Sequence, residues 1–81
     1  MLEIGNTLRE ARMRRSLDIT DCEAVTKIRG KYLRALEEEQ FEMLPGPTYV
    51  RGFLRTYSDH LGLDGRLVVE QYESQFERPR E

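Results

Sequence analysis

The side chains that most often perform catalysis are scarce in this 81-residue sequence. It contains one histidine, His60, and one cysteine, Cys22, and their separation does not match the spacing of metal ligands. Cys22 lies between Asp21 and Glu23, and neighbouring acids make a thiol harder to ionise, so it is a poor nucleophile. No serine lies in a nucleophile motif, and no glycine-rich loop is present to hold a phosphate. We therefore predict a protein that is not an enzyme, with no metal and no cofactor, in which Cys22 is a half-buried structural residue.

Three consecutive acids, Glu37, Glu38 and Glu39, form the other cluster with the right chemistry to bind a cation. Successive residues of a helix point in directions about 100° apart, so three adjacent carboxylates diverge rather than converge on one ion. We expect a solvated acidic face at this point. His60 is expected at the edge of the apolar face of its helix, in a packing or surface role.

Composition and charge describe the chain that must position these residues. Apolar residues make up 38% and charged residues 35%, which is too charged for a membrane span and too apolar for a disordered tail. The formal net charge of −2 argues against a generic nucleic-acid binder. The N-terminus lacks an apolar signal segment, and one cysteine cannot form an internal disulfide. We predict one domain over residues 1–77 and a tail at 78–81, in a reducing cytoplasmic compartment.

Helical periodicity runs through nearly the whole chain, and no alternating stretch predicts a strand. In chain order, the predicted helices are one at about 3–15, a short one capped by Thr20, one at about 29–39, one at 47–61 and one capped by Asp64. In the second helix, Ala24 and Val25 are expected to face inward. A tight turn joins the second helix to the third, which is typical of a helix-turn-helix. The predicted fold class is all-α, a compact five-helix domain of the helix-turn-helix, phage-repressor-like type.

The third predicted helix occupies the position that DNA-binding helix-turn-helix proteins place in the major groove. On this helix, Arg29, Lys31 and Arg34 are able to contact phosphates or guanine edges. Residues 23–39 contain no Asn or Gln, however, and the acids at the end of the helix would repel the DNA backbone. DNA binding is therefore the alternative interpretation. In that interpretation the neighbouring arginines of the first helix also contact phosphates: Arg12, Arg14 and Arg15.

The fourth predicted helix carries an apolar stripe wider than so small a domain readily covers. Tyr49 and Phe53 lie together at one edge of the stripe, and Arg51 and Arg55 are predicted to flank them on the polar side. Aromatic anchors beside arginines are typical of a protein-binding hot spot. Two alternatives remain open: the first helix covers the stripe completely, or the aromatic pair mediates homodimerisation.

The fourth-helix segment LPGPTYVRGFLRTY, at residues 44–57, resembles the cytoplasmic domain of the RodZ family. Residues 4–12, 24–28, 32–37 and 61–64 resemble that domain too, and the resemblance covers about residues 3–75. The fold that it implies is shared with phage-repressor-type helix-turn-helix proteins.

The resemblance also implies a partner and a location. RodZ-like proteins are bitopic inner-membrane proteins of the rod-shape machinery, and their cytoplasmic domain binds MreB, the bacterial actin homologue. The family uses aromatic residues of the fourth helix for this contact, and the matching positions here are Tyr49 and Phe53. In the family a basic stretch and a transmembrane helix follow the domain. The present sequence stops before such segments, so the expectation is a cytoplasmic domain whose link to the membrane lies outside it, or a relative without one.

Overall fold

The computed structural model describes residues 3–76, and within that range the secondary structure is entirely helical. The helices are α1 (Ile4–Arg14), α2 (Ile19–Thr26), α3 (Gly30–Glu37), α4 (Pro47–His60) and α5 (Gly65–Phe76), with a 3-10 turn (Phe41–Met43) between α3 and α4. These elements confirm the predicted all-α helix-turn-helix fold, with α2 and α3 as the motif. The predicted tail at 78–81 lies outside the described residues.

Side-chain capping explains where two of the helices, α2 and α5, begin. The Asp18 carboxylate accepts a hydrogen bond from the backbone N–H of Asp21 at 3.0 Å, and the Asp21 carboxylate accepts one from the N–H of Asp18 at 3.0 Å. This capping box starts α2, so the prediction of Thr20 as the cap is wrong: the earlier acid has a reciprocal partner three residues on. Asp64 does cap α5, because its carboxylate accepts from the N–H of Arg66 at 3.1 Å.

The core lies where α1, α3, α4 and α5 meet, and the least exposed of its large aliphatic side chains are Ile4, Leu8, Leu33, Leu36, Val50 and Leu54. The second helix contributes to this core through Cys22, which is fully buried rather than half-buried. The expectation that Ala24 and Val25 face inward is wrong, since both are exposed. A two-turn helix at the periphery buries one narrow face, and Cys22 occupies that face.

Between residues 3 and 76, none of the helices has the length and apolar composition required to cross a bilayer.

Candidate partner-binding surface on the fourth helix

Three aromatic rings form a continuous strip across α3 and α4, and we call Tyr32, Tyr49 and Phe53 the aromatic strip. The ring centroids of Tyr49 and Phe53 are 6.0 Å apart, and those of Phe53 and Tyr32 are 5.7 Å apart. Tyr49 is 54% exposed, while Phe53 and Tyr32 are half-buried. The first helix therefore does not cover this edge of α4, which resolves one of the alternatives left open by the sequence.

Sequence reasoning found two members of the strip and missed the third. Tyr32 of α3 is half-buried, and its ring contacts Phe53. The ammonium group of Lys31 lies 5.2 Å from the centre of the Tyr32 ring, within range of a cation–π interaction. The strip thus ends in a positive charge supplied by α3.

The start of α4 sets the position of the strip. Pro47 occupies the first turn of the helix, where its missing N–H costs no hydrogen bond. Val50, Leu54 and Tyr57 then face the core, and each is at most 1% exposed. With about 100° of rotation per residue, Tyr49 is turned about 100° from Val50, so its ring projects at the boundary between core and solvent.

The two arginines predicted beside the aromatic pair lie elsewhere on α4. Arg51 approaches Glu73 of α5, with 3.9 Å between Nε and Oε2. Arg55 lies against the start of α5. Gly65 approaches it so closely that a β-carbon at position 65 would lie 2.7 Å from the Arg55 carbonyl oxygen. Both arginines are therefore on the α5 side of the helix, and the structure does not bring them together with the aromatic strip.

A buried polar network, which sequence reasoning missed, links three helices beneath this surface. Glu37 is only 6% exposed, so the expectation of a solvated acidic face is wrong at this residue. Its carboxylate accepts two hydrogen bonds from the Arg12 guanidinium, at 2.7 and 3.0 Å, and one from the Tyr57 hydroxyl at 2.5 Å. Arg12 also donates to the Leu17 carbonyl at 3.0 Å. These bonds tie α1, α3 and α4 together, since each partner comes from a different helix.

The other two acids of the run, Glu38 and Glu39, differ in their surroundings. Glu38 is exposed, as expected, but the Glu39 carboxylate accepts a hydrogen bond from the backbone N–H of Gly5 at 2.9 Å. One signal in the sequence pointed to the burial of Glu37: it follows Leu33 by four residues and therefore lies on the apolar face of α3. A carboxylate buried at that position requires a hydrogen-bonded, oppositely charged partner, and the Arg12 guanidinium provides it.

The environment of this network keeps the Tyr57 hydroxyl and the Arg12 guanidinium protonated. Burial, with the hydrogen bond to Glu37, raises the pKa of Tyr57 well above its usual range, so its hydroxyl stays a donor. Burial also raises the pKa of the Cys22 thiol, and the hydrogen bond to Glu37 raises the pKa of Arg12. A fully buried, neutral thiol is unsuited to nucleophilic attack.

The fold leaves most of the basic residues proposed for DNA contact exposed, but it pairs one of them with an acid. Arg29, Lys31 and Arg34 are all exposed on or beside α3. The Arg12 guanidinium is paired with the Glu37 carboxylate, so the expectation that Arg12 contacts phosphate is wrong. The two arginines that follow it are exposed, and Arg15 donates to the His60 carbonyl at 3.3 Å.

His60 itself is half-buried at the end of α4, in a packing position. Across residues 3–76, no three side chains of His, Cys, Asp or Glu are placed so that they could hold a metal ion.

Comparison with known proteins places this arrangement in a family. Residues 7–68, more than half of the chain, match a family described as a helix-turn-helix domain. This chain belongs to the helix-turn-helix domain family. It is 37% identical over 71 residues to the cytoskeleton protein RodZ of Streptococcus pneumoniae, an alignment that covers 88% of this chain and 26% of that protein. It is 39% identical over 56 residues to the uncharacterized membrane protein YmfM of Bacillus subtilis, covering 69% of this chain and 19% of that protein.

These relatives confirm the resemblance to the helix-turn-helix domain of the RodZ family. The domain spans about a quarter or less of the length of the relatives that it matches. No solved structure matches the chain significantly.

Proposed function

We propose that this domain is a non-catalytic docking module that binds an actin-like filament protein of the MreB class, in the membrane-associated machinery that controls cell shape. The observation that carries the proposal is the exposed ring of Tyr49, held in contact with the half-buried ring of Phe53. The pneumococcal relative is named as a cytoskeleton protein and the Bacillus relative as a membrane protein, and both names support this choice.

The geometry of the aromatic strip suits a protein interface. A large apolar side chain gains about 1.5–3 kcal/mol when it passes from water to a buried site, and Tyr49 has more than half of its surface left to bury. The Tyr49 ring packs against Phe53, whose ring in turn contacts Tyr32, so less conformational entropy is lost when the strip binds a partner. Lys31 supplies a cation at the edge, where an acidic group of the filament would meet it.

Arg51 and Arg55 have a smaller part in this proposal. Both lie on the α5 side of α4, and Arg51 already approaches Glu73. They contact the filament only if the interface extends around the helix. We expect neutralising either arginine to lower filament affinity less than truncating Tyr49.

Co-sedimentation with polymerised MreB from the same cell tests the proposal. Tyr49→Ala removes an exposed ring without disturbing the core, and we expect it to weaken pelleting about tenfold or more, as loss of a hot-spot residue does. Leu67→Ala is the matched control, because Leu67 is 57% exposed on α5, away from the strip. Unchanged pelleting of Tyr49→Ala would refute the proposal.

Phe53 needs a separate check, since its ring packs against the core. Tyr49→Ala combined with Phe53→Leu should abolish pelleting while circular dichroism shows the helical content of the parent. Sedimentation of the domain alone at rising concentration tests homodimerisation through the same strip. A monomer at all concentrations leaves the strip available to the filament.

The proposed location is the cytoplasmic face of the inner membrane, with the domain forming part of a longer protein. The coding sequence downstream of residue 81 tests this directly. A basic run followed by about 20 apolar residues would support it, because that length spans a bilayer as a helix. A downstream sequence without such a segment would contradict it.

DNA binding is the second candidate function, favoured by the exposure of Arg29, Lys31 and Arg34 on the second helix of a helix-turn-helix. It predicts binding to duplex DNA at low salt, with an affinity that falls steeply as salt rises. Arg29→Gln with Arg34→Gln should then weaken binding and reduce the salt dependence. Absence of duplex binding at low salt would exclude this function.

A further inference from the structure

A second apolar surface lies on the α5 side of α4, away from the aromatic strip. It is an open groove of about 480 Å³ between the 3-10 turn, the start of α4 and the end of α5. Its apolar lining residues are Phe41, Leu44, Pro47, Val50, Tyr72 and Phe76. Its volume lies within the range of about 300–1,000 Å³ that is typical of ligand sites.

Three rings form a preassembled wall of this groove. Phe41 meets Tyr72 and Phe76 edge to face, with centroid distances of 5.0 and 4.9 Å, and Tyr72 stacks on Phe76 at 5.8 Å. Phe41 and Tyr72 are buried, whereas Phe76 remains 45% exposed. The wall therefore presents an aromatic surface whose geometry is already set before anything binds, which lowers the entropic cost of binding.

The rim of the groove is acidic. Among residues 3–76, Glu39 and Glu42 are the charged residues that line it, and no lysine or arginine of that range does so. Glu39 also accepts a hydrogen bond from Gly5, which holds its carboxylate in place, while Glu42 is exposed. An apolar floor with a negative rim is complementary to a ligand that carries an apolar group next to a positive charge.

We propose that this groove binds a short peptide segment in which a large apolar side chain is adjacent to lysine or arginine. The apolar side chain packs against the ring of Phe76, and the cation lies beside Glu42. A peptide fits better than a small metabolite, because a metabolite site uses several directed polar groups within an apolar pocket. In the part of the chain that the structure describes, the charged groups of this groove are the two carboxylates at its rim. This site is separate from the proposed filament contact, and either one functions without the other.

The test is a titration of the 15N-labelled 81-residue protein with the synthetic peptide GKLFKKLG, followed by NMR. The expected result is saturable binding with a dissociation constant below about 1 mM, with the largest shifts at the backbone amides of Phe41 and Tyr72. The acidic counterpart GELFEELG should bind at least about tenfold more weakly, because Glu42 repels it. Raising the salt concentration should weaken binding of the basic peptide.

Two variants and one control complete the experiment. Phe76→Ala removes the exposed ring and Glu42→Lys reverses the charge of the rim, so each should weaken the basic peptide about tenfold. Tyr49→Ala should leave peptide binding unchanged, and Glu42→Lys should leave filament pelleting unchanged. The proposal is overturned by absence of binding, by equal binding of the two peptides, or by shifts centred on Tyr49.

Discussion

Replacing Glu37 with glutamine removes the negative charge around which the network of α1, α3 and α4 is built. The substitution keeps the size of the side chain and one acceptor oxygen, so it isolates the charge. It leaves Arg12, whose side chain is 16% exposed, without its charged partner, and it weakens the bond from the Tyr57 hydroxyl. Breaking a buried ion pair in this way costs about 3–5 kcal/mol. Because Arg12 keeps some contact with water and its bond to the Leu17 carbonyl, we expect about 3 kcal/mol.

That loss is large for a domain of 81 residues, whose total stability is expected at roughly 4–12 kcal/mol. It corresponds to a decrease in Tm of about 12–24 °C, at 4–8 °C for each kcal/mol. Urea and thermal unfolding followed by circular dichroism measure both quantities. Glu38→Gln is the matched control, since Glu38 is the exposed neighbour and its replacement should change stability by less than about 0.5 kcal/mol.

A Glu37→Gln protein as stable as Glu38→Gln would refute the assignment of Glu37 as the centre of the network. A double-mutant cycle with Arg12→Leu adds a second criterion. The two substitutions share one interaction, so together they should cost less than the sum of their separate effects. Strict additivity would show that Arg12 and Glu37 do not interact.

Two further predictions concern single side chains. The Ser58 hydroxyl is buried and has no hydrogen-bond partner among the described residues. Ser58→Ala should therefore raise the free energy of unfolding by about 1 kcal/mol, more than the exposed control Ser74→Ala does. An equal gain in the two variants, measured by urea unfolding, would contradict this prediction. The hydrogen bond from the backbone N–H of Asp21 lowers the pKa of Asp18 below its ordinary value of 3.8. The ionised Asp18 therefore stabilises the fold above that pH, and this contribution is lost as pH falls through the lower folded-state value. Thermal melts of the parent and Asp18→Ala should converge as the pH is lowered from 7 to 3, whereas a difference independent of pH would contradict the role of the carboxylate.

Much of the fold was predictable because it depends on local signals. The predicted start of α4 at residue 47 is confirmed, since Pro47 occupies the first turn of the helix. Gly62, with a φ of 86°, takes the left-handed conformation that commonly follows the end of a helix. Asp64 predicted the cap of α5. The start of α2 was predicted less well, because two residues with suitable side chains, Asp18 and Thr20, compete within one turn and only their hydrogen bonds distinguish them.

The candidate site was predictable to the extent that helical geometry determines it. The position of Tyr49 and Phe53 at one edge of the α4 stripe follows from rotation per residue, and the structure confirms that their rings meet. The prediction placed Arg51 and Arg55 beside these two aromatic residues, but helical periodicity does not show which neighbouring helix packs against each side of α4. The packing of α5 decided this, because α5 approaches α4 closely at Gly65, on the side of α4 that carries both arginines.

The sequence by itself determined the helices, their order, the helix-turn-helix motif and the aromatic edge of α4, because caps, turns and periodicity act over a few residues. Only the tertiary structure decided which polar groups are buried and which apolar surfaces remain open. Glu37 meets Arg12 and Tyr57 across separations of 25 and 20 residues, and such pairs form only when three helices pack. The groove near Phe76 arises in the same way, since its walls come from elements at 39–50 and 72–76. Periodicity identifies the face that a helix buries, whereas the partner of each buried charge depends on contacts between distant segments.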